Sequence, residues 1–478
     1  MPDKETLDDA LEKYRKSQKS PFAFADGVRY EPNQHGWDDA NLFNIRKLKP
    51  DLAEAKSKEN PGKEVWDDAI DKYGKLIRVA RKSDPAQAAE WSLKLAQCYF
   101  GRADYYFKKK DMKRALHDCA DTIRLDPAYA DAYECRGLIH LGKWLWDEAL
   151  VDYTKLIELK PNYGAAYASR GHIYAMKDNL DAALEDFNHA ISLGSDLTEM
   201  VYCGKGCIYA KREEYKVALV EFNRAIAQKK DYADAYYYRA QNYADMKAFN
   251  KAIKDFTRTI DINPDYAEAY NGRGRAYAEK EDFDRSIADH TKAIALKSNY
   301  ASAYNNRGIA YGEKKMIDEA IADFTKAIEI EPGDERAYNN RGIAYEKKGA
   351  LDAAIADLTK AITIKPDFAS VYSSRGRVYA AKGALDEAIA DHNKALALEP
   401  DLAKGYYYRA RAYEQRARMD REKAVELDPS FVVEEDEELI RLALPPDDSL
   451  NKRWFGGIRN AGKKLWRKAK AVRLVLLQ

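Results

Sequence analysis

Small and aromatic residues recur along this chain with the periodicity of an α-helix. Stretches that begin at Tyr270, Tyr304, Tyr338 and Tyr372 all read Y-x-x-R-G-x-x-Y, and each begins 34 residues after the one before it. Spacings of three, four and seven place residues on one helical face. A helical unit of this length cannot bury its apolar face alone, so the pattern predicts units that stack on one another.

Each unit is predicted to contain two antiparallel helices. The first carries two aromatic residues seven apart around a small residue, as in Tyr236, Ala240 and Tyr243. The second carries a small residue, an aromatic residue and another small residue, as in Ala320, Phe324 and Ala327. Proline, which ends or restarts a helix, follows the second helix at Pro127, Pro161, Pro264, Pro332, Pro366, Pro400 and Pro429.

From Ala96 to about Pro429, these residues resemble the tetratricopeptide repeat (TPR) family. Nine full units begin near Ala96, Ala130, Gly164, Glu199, Ala233, Ala267, Ala301, Glu335 and Ala369. A tenth unit begins at Ala403 and is expected to have a shortened second helix. The resemblance implies an all-α fold, a right-handed superhelical solenoid of antiparallel helix pairs whose first helices line a concave groove.

The chain is expected to divide into five parts. Residues 1–60 are polar and largely irregular, residues 61–95 form degenerate capping helices, and residues 96–434 form the array. Residues 435–450 form an acidic, proline-containing linker, and residues 451–478 form a basic amphipathic helix.

A basic residue precedes the small residue of every first helix, and an acidic residue follows sixteen positions later. The nine pairs are Arg102/Asp118, Arg136/Asp152, Arg170/Asp186, Lys205/Glu221, Arg239/Asp255, Arg273/Asp289, Arg307/Asp323, Arg341/Asp357 and Arg375/Asp391. We expect ion pairs between packed helices, because the arginine fork binds a carboxylate bidentately. The alternative is a row of arginines that binds an acidic ligand.

Groove-facing positions on the first helices suggest a peptide-binding surface. Their central members are polar and small, and an asparagine amide matches both the donor and the acceptor of a peptide backbone. Tyrosines flank them, and tyrosine is enriched at binding hot spots. The alternatives are a solvated helix face for the asparagines and packing between repeats for the tyrosines. The candidate residues are Asn271, Asn305, Asn306, Asn339, Asn340, Ser373, Ser374, Tyr237, Tyr238, Tyr407 and Tyr408.

The end of the chain is strongly basic. Residues 451–478 carry nine basic residues and no acidic one, although the whole chain has a net charge of only +1. A narrow apolar stripe runs from Ile458 to Leu476, which is the pattern of a helix on an anionic membrane. The alternatives are a cap on the last repeat or an acidic protein partner. The candidate contact residues are Trp454, Arg459, Lys463, Lys464, Trp466, Arg467, Lys468, Lys470 and Arg473.

Several function classes are disfavoured by the sequence. The near-zero net charge gives no sign of a nucleic-acid binder, and we find no P-loop, H-E-x-x-H motif or nucleophile elbow. Cys203, Cys207 and His172 could begin a zinc site, but the alternative is buried packing. We therefore expect a non-enzymatic scaffold, without cofactor or metal, that binds an extended peptide or a partner helix in the concave groove. The alternatives are a peripheral membrane adaptor docked by the basic C-terminal helix and an accessory or chaperone subunit of a larger complex. Five unpatterned cysteines and the absence of a signal peptide favour the cytoplasm, where the protein is peripheral to a membrane if its tail binds lipid.

Overall fold

The computed structural model describes residues 63–428, which form twenty α-helices and no strand. They belong to two compact units, residues 63–276 (unit N) and residues 277–428 (unit C). In each unit consecutive helices pack as antiparallel pairs. The described chain therefore confirms the all-α class and fits the predicted solenoid of helix pairs.

The helices of unit N alternate between first and second members of a repeat after an opening helix. They are α1 (Lys63–Ser83), α2 (Pro85–Lys108), α3 (Met112–Leu125), α4 (Ala130–Gly142), α5 (Trp146–Leu159), α6 (Gly164–Met176), α7 (Leu180–Ser192), α8 (Thr198–Lys211), α9 (Tyr215–Gln228), α10 (Ala233–Asp245) and α11 (Phe249–Ile262). Helix α12 (Ala267–Ala278) contains the boundary between the two units.

Unit C continues with the same alternation. Its helices are α13 (Phe283–Leu296), α14 (Ala301–Glu313), α15 (Ile317–Ile330), α16 (Glu335–Lys348), α17 (Leu351–Ile364), α18 (Ala369–Lys382), α19 (Leu385–Leu398) and α20 (Ala403–Leu427).

Within a repeat, the small residues allow close contact between the two helices. A Cβ atom added to Gly308 in α14 would lie 2.8 Å from the ring of Phe324 in α15. Ala320 and Ala327 flank that ring and are fully buried. The recurring glycine therefore provides the space that the aromatic ring of the second helix fills.

The turn between the two helices of a repeat requires a left-handed residue. Glycine supplies this conformation at Gly349 and Gly383, with φ of 81° and 84°. In most other repeats a polar residue takes the position, but Trp144 takes it in the second repeat, with φ of 61°. A left-handed conformation is unfavourable for a bulky side chain, so this turn is strained relative to the glycine turns.

The two ends of the described array differ from the expected repeats. Helix α2 begins at Pro85 rather than near Ala96, because Asp84 caps its first turn and no helix-breaking residue follows Pro85. At the other end, the shortened second helix expected for the tenth unit does not form separately. Residues Ala403–Leu427 are one continuous helix, because the segment has no glycine or proline between Tyr413 and Ala424.

Candidate peptide-binding surface

In unit C, the asparagines predicted to line the groove lie on α14 and α16, side by side in neighbouring repeats. Asn305, Asn306, Asn339 and Asn340 are all buried, with at most 4% of each residue exposed. The Asn340 Nδ2 donates to the Asn305 Oδ1 at 3.0 Å, and the Asn339 Nδ2 donates to the Asn340 Oδ1 at 3.4 Å. A freely solvated helix face, one of the two alternatives for these residues, is therefore wrong.

The side-chain carbonyl oxygen of Asn339 has no hydrogen-bond partner within this row. Among residues 63–428, no hydrogen-bond donor contacts the Asn339 Oδ1, although this atom is buried. An unpaired buried carbonyl oxygen costs on the order of 1–3 kcal/mol. The row therefore offers an acceptor that a backbone N–H group could satisfy.

The serines and tyrosines of unit C continue the same face on α18 and α20. Ser373 is buried, whereas Ser374, Tyr407 and Tyr408 are half-buried. The rings of Tyr407 and Tyr408 meet edge to face with centroids 5.1 Å apart. The two tyrosines thus form a partly accessible aromatic surface rather than core packing alone.

Sequence reasoning missed an ion pair on this face. The Arg377 guanidinium in α18 donates from Nε and Nη2 to the two carboxylate oxygens of Glu346 in α16, at 2.8 and 2.6 Å. It also lies over the Tyr408 ring, 5.5 Å from the centroid. The sequence did carry a signal, because Arg377 stands where the two preceding repeats have isoleucine, at Ile343 and Ile309.

In unit N, the two predicted tyrosines have different environments. Tyr237 is buried, stacks on Tyr266 with centroids 5.0 Å apart and contacts Phe256 at 5.8 Å. Tyr238 is half-buried and packs edge to face on Tyr237 at 5.2 Å. Packing between repeats therefore accounts for Tyr237, and only Tyr238 keeps an accessible surface.

Asn271 and the half-buried carboxylate of Asp234 complete the candidate face of unit N. Asn271 in α12 is buried, with 8% exposed. The Tyr266 hydroxyl donates to the Asp234 Oδ1 at 3.0 Å. Burial raises the pKa of Asp234 to about 6, against the lowering effect of the hydrogen bond from Tyr266 and the charge of Lys229.

The arginines sixteen residues before an aspartate form the predicted ion pairs. In unit C, the Arg307 Nε and Nη2 donate to the two Asp323 carboxylate oxygens at 2.7 and 2.8 Å. The same pairing occurs in other repeats, and in each of the pairs named next the aspartate side chain is at most 10% exposed. They are Arg102/Asp118, Arg136/Asp152, Arg170/Asp186, Arg239/Asp255, Arg307/Asp323, Arg341/Asp357 and Arg375/Asp391. Because internal carboxylates occupy these arginines, the alternative of a row that binds an acidic ligand is wrong for these seven.

The fourth pair departs from the pattern. The Lys205 Nζ donates to the Asn188 Oδ1 at 2.8 Å instead of to Glu221. Glu221 accepts from Arg224 at 2.8 Å through one carboxylate oxygen, and its buried Oε2 has no partner among the described residues. The third and fourth units begin at Gly164 and Glu199, which is one residue more than the 34-residue period, and the extra residue lies near Gly194, which has a φ of 66°.

The structure also shows a second partner of the arginines that sequence reasoning missed. The Arg307 Nη1 donates to the Thr291 Oγ1, sixteen residues before it and therefore in the previous repeat, at 3.0 Å. A threonine or asparagine accepts in the same way from Arg239, Arg273, Arg341, Arg375 and Arg409. Each of these arginines therefore joins its own helix to a helix of the preceding repeat.

The candidate zinc residues and one histidine of unit C, His392, pack in the interior. Cys203, Cys207 and His172 are buried, and burial lowers the pKa of His172 to about 3. Within residues 63–428 no group of three or more metal-ligating side chains is brought together. His392 is fully buried beside Tyr408 and occupies in α19 the position that Phe324 takes in α15.

The candidate membrane-contact residues, Trp454 to Arg473, lie outside the described residues. Among the helices of residues 63–428, none has the length and apolar character to cross a membrane.

Comparisons with known proteins agree with the repeat pattern. Family models described as tetratricopeptide repeat match residues 164–194, 233–266, 301–334 and 335–368, and a model described as TPR repeat matches residues 274–315 and 376–416. A search of curated proteins gave no match.

Similar solved structures are repeat proteins. A tetratricopeptide repeat protein from Parabacteroides merdae is 21% identical, with 52% of this chain and 98% of that chain covered and a TM-score of 0.43. YrrB, described as a TPR protein with an unusual peptide-binding site, is 22% identical, with 39% and 96% covered and a TM-score of 0.33. MamA is 29% identical, with 34% and 96% covered and a TM-score of 0.32.

Proposed function

This chain is a tetratricopeptide repeat protein, and from that premise we propose that it is a non-enzymatic scaffold that binds an extended peptide. Solenoids of helix pairs expose long surfaces that suit this purpose. The proposed contact surface of unit C comprises the asparagine row, Ser373 and Ser374 and the tyrosine pair on α20. In unit N it comprises Asn271 and the accessible edge of Tyr238.

The unpaired acceptor of Asn339 is the observation that carries the proposal. A peptide backbone N–H would satisfy this buried oxygen, and a backbone carbonyl would accept from an asparagine Nδ2 group. Contacts of this kind do not depend on the side chains of the ligand. We therefore expect a sequence-tolerant ligand whose side chains are selected mainly beside Tyr407 and Tyr408.

Peptide display on the purified full chain tests the proposal. Random 15-residue peptides are selected on the wild type and on a variant with Asn305→Ala, Asn339→Ala and Asn340→Ala. We expect enrichment on the wild type and its loss on the variant. Asn299→Ala is the matched control, because Asn299 is exposed in a turn of the same unit. Equal enrichment on the triple variant, with its circular dichroism unchanged, would show that the asparagines are not the binding site.

A second candidate function rests on the basic segment of residues 451–478, which carries nine positive charges and no negative one. We propose that this segment docks the scaffold on anionic lipid, since each basic residue near such a surface adds about 1 kcal/mol of attraction. Co-sedimentation with phosphatidylserine vesicles should pellet the full chain at low salt. A chain that stays in the supernatant there excludes the membrane role.

A further inference from the structure

The first helices of the last two repeats form a basic and aromatic face. One side of α20 carries residues that follow one another at steps of one, three and four. They are Lys404, Tyr407, Tyr408, Arg411, Gln415 and Arg418. Residues 403–418 contain five basic residues and one acidic residue. The corresponding side of α18 contributes Arg377 and serines but no carboxylate. We call the α20 stripe from Lys404 to Arg418 the basic stripe.

Lys404 and Arg411 of the basic stripe lack the carboxylate partners that comparable cations have, whereas Arg418 lies 3.4 Å from Glu422 in an exposed pair. Elsewhere in unit C, Lys348 pairs with Asp318 at 2.7 Å and Lys382 pairs with Asp352 at 2.6 Å. Within residues 63–428, neither Lys404 nor Arg411 contacts a carboxylate, and Arg411 lies only over the Tyr407 ring at 5.9 Å. The stripe therefore offers a half-exposed row of cations to a ligand that supplies carboxylates.

The chain carries such a ligand a few residues beyond α20. Five consecutive acidic residues, Glu434, Glu435, Asp436, Glu437 and Glu438, begin six residues after Asp428. We propose that this acidic run docks on the basic stripe of the same chain, with its carboxylates on Arg411 and Arg418 and its backbone across Tyr407 and Tyr408. Arginine forks bind carboxylates bidentately, which favours this pairing.

The length of the connecting chain permits the contact. At 1.5 Å per residue, Arg418 and Arg411 lie about 14 and 24 Å from the end of α20 at Leu427. An extended chain covers about 3.3 Å per residue, so Glu434 can reach about 23 Å and Asp436 about 30 Å from Leu427. The acidic run therefore reaches both arginines when it turns back along the helix.

Docking would place the acidic run on the tyrosine end of the proposed peptide surface. A tethered segment acts at a high effective concentration, so a peptide that uses Tyr407 and Tyr408 would have to displace it. The acidic run is then an internal competitor of the ligand. The docking itself does not depend on the peptide-binding proposal, and its test uses no peptide.

Zero-length cross-linking tests the docking directly. A carbodiimide joins an amine to a carboxylate in contact with it, so the full chain with Arg411→Lys is treated at low salt and digested for mass spectrometry. We expect a cross-link between position 411 and residues 434–438. The link should disappear in 1 M salt, where the Debye length falls to about 3 Å. Lys348 and Asp318, already in contact at 2.7 Å, serve as the internal reaction control.

Two outcomes would overturn the proposal. A mixture of isotopically light and heavy protein distinguishes cross-links within one chain from cross-links between two chains. Cross-links found only between two chains would show that the acidic run of a second molecule, not of the same chain, binds the basic stripe. Absence of the link while Lys348 and Asp318 react would show that the acidic run does not dock. Charge reversal with amide hydrogen exchange provides a second measurement. Arg411→Glu should lower the protection of residues 404–418 from exchange. Adding Glu435→Lys and Asp436→Lys to that variant should restore the protection. Unchanged protection in Arg411→Glu, with its circular dichroism intact, also overturns the proposal.

Discussion

Removal of Arg307 should destabilise unit C severely, because this side chain donates three hydrogen bonds to two neighbouring residues. Arg307→Ala deletes two hydrogen bonds to Asp323, at 2.7 and 2.8 Å, and one to Thr291 at 3.0 Å. It leaves Asp323, whose side chain is 8% exposed, as a buried carboxylate without its counter-ion. Breaking a buried pair in this way costs roughly 3–5 kcal/mol.

Hydrogen exchange is the suitable assay, because a repeat array need not unfold as a single two-state unit. Loss of 3–5 kcal/mol corresponds to a fall in protection on the order of 100- to 4,000-fold in α14 and α15. Burial already raises the pKa of Asp323 despite Arg307, and removal of the guanidinium raises this pKa further. An acid with a raised folded-state pKa stabilises the fold at low pH and loses that contribution as pH rises. The protection that Arg307→Ala loses relative to the wild type should therefore become smaller as the pH falls from 7 to 4.

The matched control is Lys348→Ala, which breaks an ion pair of similar length but higher exposure. Lys348 and Asp318 are 52% and 77% exposed, and such surface pairs contribute about 0–1 kcal/mol. The reasoning is refuted if Arg307→Ala and Lys348→Ala lose equal protection, or if the Arg307→Ala deficit does not depend on pH.

Three further predictions concern single repeats. Burial, with help from nearby Arg409 and Arg377, lowers the pKa of His392 to about 4, so the fold should lose roughly 2 kcal/mol between pH 7 and pH 5 as the unfolded histidine takes up a proton. His392→Phe should flatten that part of the curve of Tm against pH. Lys205→Arg combined with Glu221→Asp should restore the missing ion pair and add about 1 kcal/mol in urea denaturation. Gly308→Val should cost roughly 1–3 kcal/mol in the same assay, because its Cβ would lie 2.8 Å from the Phe324 ring.

The sequence predicted the repeat architecture because period and composition determine it locally. Helix pairs, the glycine and phenylalanine contact and the arginine and aspartate pairs all follow from residues that recur at fixed steps. The two array ends were mispredicted, because the family pattern says nothing about how far a helix extends where no helix-breaking residue follows. Burial of the asparagines was also missed, since their exposure depends on how closely neighbouring first helices approach. The ion pair of Arg377 with Glu346 escaped notice because neither position is charged in every repeat.

The substitution of lysine for arginine at position 205 has a mechanical consequence. Arg239 and Arg307 each hold their own aspartate and a side chain of the preceding repeat, so they resist separation in two directions. Lys205 holds only Asn188 through a single ammonium group, next to the inserted Gly194. Because the lost pair would have joined Lys205 in α8 to Glu221 in α9, a pulling force along the chain should rupture unit N first within this repeat, between α8 and α9. Under tension, the repeats on either side of this position in unit N would stay folded while this repeat opens. The force needed to open it would then be the unfolding force of unit N.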